Sequence, residues 1–149
     1  MDIKHGIIKL HQHKSNKPIL ININEIVAVA QSTTKDYTII HLLGYKDEII
    51  LINVKESVTH IYDLIKDIIP SIMVHRKNKN TELLIPISQI LFITPYFDIE
   101  KVDDNNPNYY HNVLSAQINK GKECSRITFK TSISPVEVNE TVQKIYNKI

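Results

Sequence analysis

A chain of 149 residues, 42% hydrophobic and 23% charged, has the composition of one folded domain or two very small ones rather than of a disordered tail. Its formal charge of +2 and pI near 8.5 do not by themselves imply a polyanionic partner, because nucleic-acid binders usually show a basic face or a much higher pI. A single cysteine, Cys124, excludes an internal disulfide framework and a cysteine-based zinc site, and it suits a reducing compartment.

The opening "MDIKHGIIKLHQHK" lacks the unbroken apolar core of a secretory signal, since His11 and Lys14 interrupt it. No window approaches the roughly 18 to 20 apolar residues of a spanning helix, so a cytoplasmic protein is expected, with no membrane partner.

In chain order, short β-rich runs are expected at Ile7 to His13, Pro18 to Ile23, Ile26 to Gln31, Tyr37 to Leu43 and Glu48 to Val54. Clusters of Asn, Ser, Thr, Gly and Asp separate them. A helix follows from about Ser57, where Val58, Ile61, Ile65 and Ile68 form one apolar stripe. Asn53 or Ser57 can cap it, with Glu56 as a capping-box acceptor.

The pattern then recurs. Set without gaps above Ile72 to Ile93, the stretch Ile8 to Val29 matches Leu10 to Val74, His11 to His75, Ile21 to Ile85, Ile23 to Ile87 and Val29 to Ile93. The closing segments align Glu56 with Glu140, Ser57 with Thr141, Val58 with Val142, Ile61 with Ile145 and Tyr62 with Tyr146. Ser134, Pro135 and Glu137 offer a capping-box start for the last helix, which leaves its beginning open by about a turn. The expected fold is α+β, two tandem β-rich units (1–69 and 70–149), each closed by an amphipathic helix and packed as a pseudo-dimer. A unit of about 65 residues is marginal alone, which favours fusion.

The segments "IKL", "ILIN" with "EIVAV", "YTIIHLLG" and "VKESVTHIYDLI" resemble the short FlbD-type family of flagellar and swarming-motility proteins, and similar small proteins of gut bacteria and their phages. The resemblance covers most of Ile7 to Ile68 and only the two ends of the second unit, where "NKGKECSRITFKT" departs from it. It implies interaction or regulation and carries over no catalytic residues.

At the point where the first unit has the turn "QSTTKD", the second carries an insertion, at about 95–124. A segment of that length inside a compact domain tends to be functional or disordered. Tyr96, Phe97, Tyr109, Tyr110 and His111 lie there among acids and asparagines, a composition suited to recognition. Either a hairpin arm, with "YYHNVLSAQI" paired to "ECSRITFKT", or a binding loop accounts for it.

Other chemistry has weaker support. His11 and His13, with His41 or His75, have an allowed metal spacing, but an exposed polar strand face explains them as well. Asp98, Glu100, Asp103 and Asp104 lack the spacing and glycine of a calcium loop. Cys124 has no obvious base, and three glycines, Gly6, Gly44 and Gly121, preclude a phosphate-cradling loop.

Of the 18 basic residues only Arg76 and Arg126 offer a planar fork. Arg76, Lys77, Lys79 and Arg126 are candidates to gather round one anion with an insertion tyrosine stacked on a base. The expectation is a non-catalytic, homo-oligomeric binding protein without a cofactor, recognising its partner through the insertion. The first alternative is a phage-type protein that sequesters a small nucleotide signal. Single-stranded nucleic-acid binding ranks third, as the modest charge disfavours it.

Overall fold

A computed structural model describes residues 3–98 and 122–149. The protein is mostly β, built from antiparallel sheets with two short helices. Three strands, β1 (Ile3–Lys4), β2 (Ile7–His11) and β3 (Pro18–Asn22), form the first sheet. A second sheet has the order β6-β5-β4-β8-β7, from β4 (Ile26–Gln31), β5 (Thr38–Leu43), β6 (Ile49–Val54), β7 (Ser71–His75) and β8 (Glu82–Pro86). The third has the order β11-β10-β9, from β9 (Ile90–Asp98), β10 (Lys122–Phe129) and β11 (Val136–Val138). Helix α1 (Val58–Ile65) follows β6, and α2 (Val142–Tyr146) follows β11.

The five-stranded sheet takes strands from both sides of residue 69. Its join is the antiparallel pairing of β4 with β8, with Val29 opposite Leu84 and Ala30 opposite Leu83. Ile26 to Ala30 of β4 are all buried, which a strand covered on both faces requires and which explains its unbroken apolar run. One face packs on a core containing Ile8, Leu10, Val29, Ile61, Ile65 and Leu84. The other contributes Ala28, Ala30, Leu83 and Ile85 to a core with Ile127, Phe129, Val138 and Ile145.

Equivalent contacts occur in the two halves. The β2–β3 and β7–β8 hairpins both turn on an asparagine at positive φ, Asn16 at 59° and Asn80 at 52°, a conformation asparagine tolerates better than most residues. Isolated bridges join Gln12 to Val54 and Arg76 to Val138. The helices are capped alike, Ser57 Oγ accepting from the His60 N–H and Thr141 Oγ1 from the Lys144 N–H.

Several expectations are corrected. Residues 136–138 are strand, so Ser134 and Pro135 do not open the last helix, which starts only after Thr141. The aligned Ser57/Thr141 cap decides that boundary. Glu56 does not cap α1, because its carboxylate is bound to His11. Ile68 falls past the end of α1 and is exposed, so the stripe ends at Ile65. "ECSRITF" pairs with β9 on one side and, over Ser125 to Ile127, with β11 on the other. The expected partner "YYHNVLSAQI" lies outside the described residues.

Candidate functional site

The paired ends of β9 and β10 form an arm, with Cys124 opposite Tyr96 and Lys122 opposite Asp98. Residues directly opposite in an antiparallel pair share a face, and residues two further along stay within reach of long side chains. Arg126, opposite Thr94 on β9 and Glu137 on β11, thus lies diagonal to Tyr96. Its guanidinium carbon sits 4.6 Å from the Tyr96 ring centre, and Nη2 donates to Glu137 Oε1 at 2.9 Å. That hydrogen bond holds the guanidinium still more firmly protonated than usual.

Lys77 reaches the same ring from the β7–β8 turn, its Nζ 4.7 Å from the ring centre. The Lys77 N–H donates to the Glu137 carbonyl at 3.0 Å, fixing the turn against β11. Two cations therefore converge on one aromatic ring at the root of the arm, a geometry in which the ring quadrupole attracts both.

Arg76 goes elsewhere. It lines a cavity of about 140 Å³ together with Ala28, His41, Phe129, Pro135 and Val136, where strands of both halves meet. Arg76 Nε and His41 Nδ1 are buried there without a hydrogen-bond partner among the described residues. Burial, reinforced by the nearby Arg76 charge, pushes the His41 pKa below its ordinary value.

Of the residues expected to act together, the structure gathers Tyr96, Lys77 and Arg126 and separates Arg76 from them. Phe97, opposite Glu123, alternates onto the other face of β9 from Tyr96. Tyr109 and Tyr110 lie outside the described residues, as does His111. Lys79 is exposed in the turn.

The histidines whose spacing allowed a metal group have separate partners. His11 donates its N–H to Glu56 Oε1 at 2.9 Å and places Nδ1 2.7 Å from Oε2; His75 and Glu140 repeat both distances. His13 packs on the Tyr37 ring at 4.7 Å. Among the described residues no three His, Cys, Asp or Glu side chains converge on one point. Buried Cys124 directs Sγ to the Tyr96 carbonyl at 3.2 Å.

Glu137 as the partner of Arg126 and His41 as the neighbour of Arg76 are roles that sequence reasoning missed. Glu137 was read as part of a helix start, and nothing in the chain signals that His41 lies beside Arg76. No known protein family, curated protein or solved structure matches the chain. No helix among the described residues is long and apolar enough to cross a membrane.

Proposed function

We propose that the protein is a non-catalytic, oligomeric binding protein of two related units fused as a pseudo-dimer, which recognises its partner through the β9–β10 arm and its cationic root. One comparison carries this reading. Positions equivalent to Lys77, Tyr96, Arg126 and Glu137 in the first half hold His13, Ser32, Ile39 and Asn53. The first half makes the corresponding backbone contacts with those residues, the His13 N–H donating to the Asn53 carbonyl at 3.0 Å. The scaffold thus does not require the aromatic and charged set. Ser32 instead closes a tight turn, its Oγ accepting from the Thr34 and Lys35 N–H groups.

A partner that offers a carboxylate or phosphate beside a flat apolar group fits a ring flanked by ammonium and guanidinium groups. The interaction or regulatory role implied by the FlbD-type resemblance agrees with this reading. The test compares partners retained from a cell extract by immobilised wild type and by a variant with 99–121 replaced by a short turn. Loss of specific partners with unchanged circular dichroism is expected, and an identical retained set refutes the reading.

A second reading has an observation of its own. Arg76 Nε and His41 Nδ1, unpartnered in the inter-half cavity, favour a small anionic ligand. Its volume of about 140 Å³ is below the roughly 300–1,000 Å³ of usual small-molecule sites, so a nucleotide would place only one group there. Native mass spectrometry with ATP and inorganic phosphate as probes tests this reading, Arg76→Ala being expected to abolish any adduct.

A further inference from the structure

The β4–β8 join shows how this chain pairs one half with the other. Under the 64-residue correspondence, β9 is the equivalent of β4 and β3 is the equivalent of β8. The second equivalent pairing is not made: among the described residues, β9 pairs only with β10 and β3 only with β2. Among the described residues both strands thus present an unpaired edge, which natural sheets usually shield or pair.

Side-chain burial points the same way. Leu84 on β8 is 0% exposed, whereas its equivalent Leu20 on β3 is 68% exposed. Val27 and Ala28 on β4 are 0% and 3% exposed, whereas their equivalents Leu91 and Phe92 are 58% and 50% exposed. Ile23, Ile26 and Val29 are fully buried in the first core, while Ile87, Ile90 and Ile93 are only partly buried around the second. The second half therefore lacks the cover that the β7–β8 hairpin gives the first. Exposed apolar residues scattered singly need no explanation, but these collect on the two unpaired edges.

We propose that β9 of one copy pairs antiparallel with β3 of a second copy, in the register of the internal join. This places Ile93 opposite Leu20 of the second copy and Thr94 opposite its Ile19, as Val29 lies opposite Leu84 and Ala30 opposite Leu83. Leu84 packs in the core that holds Ile61 of α1. Leu20 of the second copy then packs beside Ile145 of α2, the equivalent helix residue. Each junction joins two different edges, and closure by a two-fold axis, in which β9 of each copy meets β3 of the other, is isologous and satisfies both edges of both copies. The proposal rests on the reading of the protein as oligomeric and names the surface responsible.

Native mass spectrometry of the full chain tests it, using wild type, Leu20→Lys and Phe92→Lys. Both positions are solvent-exposed in the single copy, so the lysines leave the fold intact, as circular dichroism checks. Wild type is expected as a closed assembly of more than one copy, and each variant as a single 17.2 kDa chain. An equimolar mixture of the variants is expected to associate again, since the intact β9 of one meets the intact β3 of the other. A single-copy wild type overturns both this surface and the oligomeric reading. An oligomeric wild type whose variants keep its copy number overturns this surface alone, and a mixture that stays single-copy overturns the pairing of β9 with β3.

Discussion

Replacing Glu56 with glutamine tests whether the repeated histidine–glutamate contact holds hairpin and helix together. The carboxylate accepts from the His11 N–H at 2.9 Å and lies 2.7 Å from His11 Nδ1, with only 15% of its side chain exposed. These contacts tie β2 to the residue preceding the Ser57 cap of α1. Glutamine keeps one carbonyl oxygen for the N–H but offers no second acceptor to the ring. One hydrogen bond is weakened from about 1.5–3 to about 0.5–1.5 kcal/mol, and the ring contact persists only as a neutral bond from the amide NH2 to an unprotonated Nδ1; with the residual exposure, a net cost of about 1–2 kcal/mol is expected. At about 2–4 °C per kcal/mol for a protein of this size, the melting temperature at pH 7 drops by roughly 2–8 °C. Burial acts to raise the Glu56 pKa, but the hydrogen bonds from His11 prevail and hold it below its ordinary value. A depressed carboxylate stabilises the fold above its unfolded pKa, roughly 4.3. This contribution disappears as pH falls through the lower folded value, so wild type and variant converge in acid. Glu140→Gln is an internal control, with the same two distances and 12% exposure. Thermal melts followed by circular dichroism read both variants, and a Glu56→Gln melt within about 1 °C of wild type at pH 7 refutes the reasoning.

Two further outcomes follow from the same structure. His41 is expected to titrate below the ordinary histidine value of about 6.5 in a two-dimensional NMR pH series, and Arg76→Gln to raise its pKa by removing a nearby positive charge. Because the unfolded chain binds the proton more readily, His41 costs stability as pH falls from about 6.5 toward its folded pKa, and His41→Gln flattens that slope in denaturant titrations. Ser57→Ala and Thr141→Ala each remove a helix cap and are expected to cost about 1 kcal/mol in urea unfolding, with no change in copy number.

The strands of the first half were legible because alternation and turn residues coincide there. The runs at Pro18 to Ile23 and Ile26 to Gln31 differ from β3 and β4 by at most one residue. The contact that recurs in each half was also present in the alignment, as His11 with His75 and Glu56 with Glu140. Periodicity cannot show that a glutamate preceding a helix cap turns back to a strand 45 residues earlier. The last helix was misplaced because Ser134, Pro135 and Glu137 carry local start chemistry while Val136 and Val138 pair with β10. Tertiary pairing overrode the local signal. Grouping Arg76 with Lys77 failed for a simpler reason: Arg76 is held in a bridge to Val138, whereas Lys77 already belongs to the turn that follows.

The same architecture supports the recognition role proposed for β9 and β10. Ser125 and Ile127, on either side of Arg126, are fully buried, and Cys124 opposite Tyr96 is nearly so. The backbone that presents the guanidinium is therefore locked by the core, while the side chain that it projects stays half-exposed beside Glu137. Lys77 is held in turn by its backbone bond to β11. A ring and two cations on such a support lose little conformational freedom when a partner docks, so more of the contact energy appears as affinity. The first half, where Ser32 closes a tight turn, offers the same rigid support without the charged and aromatic groups. Binding is thus expected to follow the arm and its root, and folding the shared five-stranded sheet.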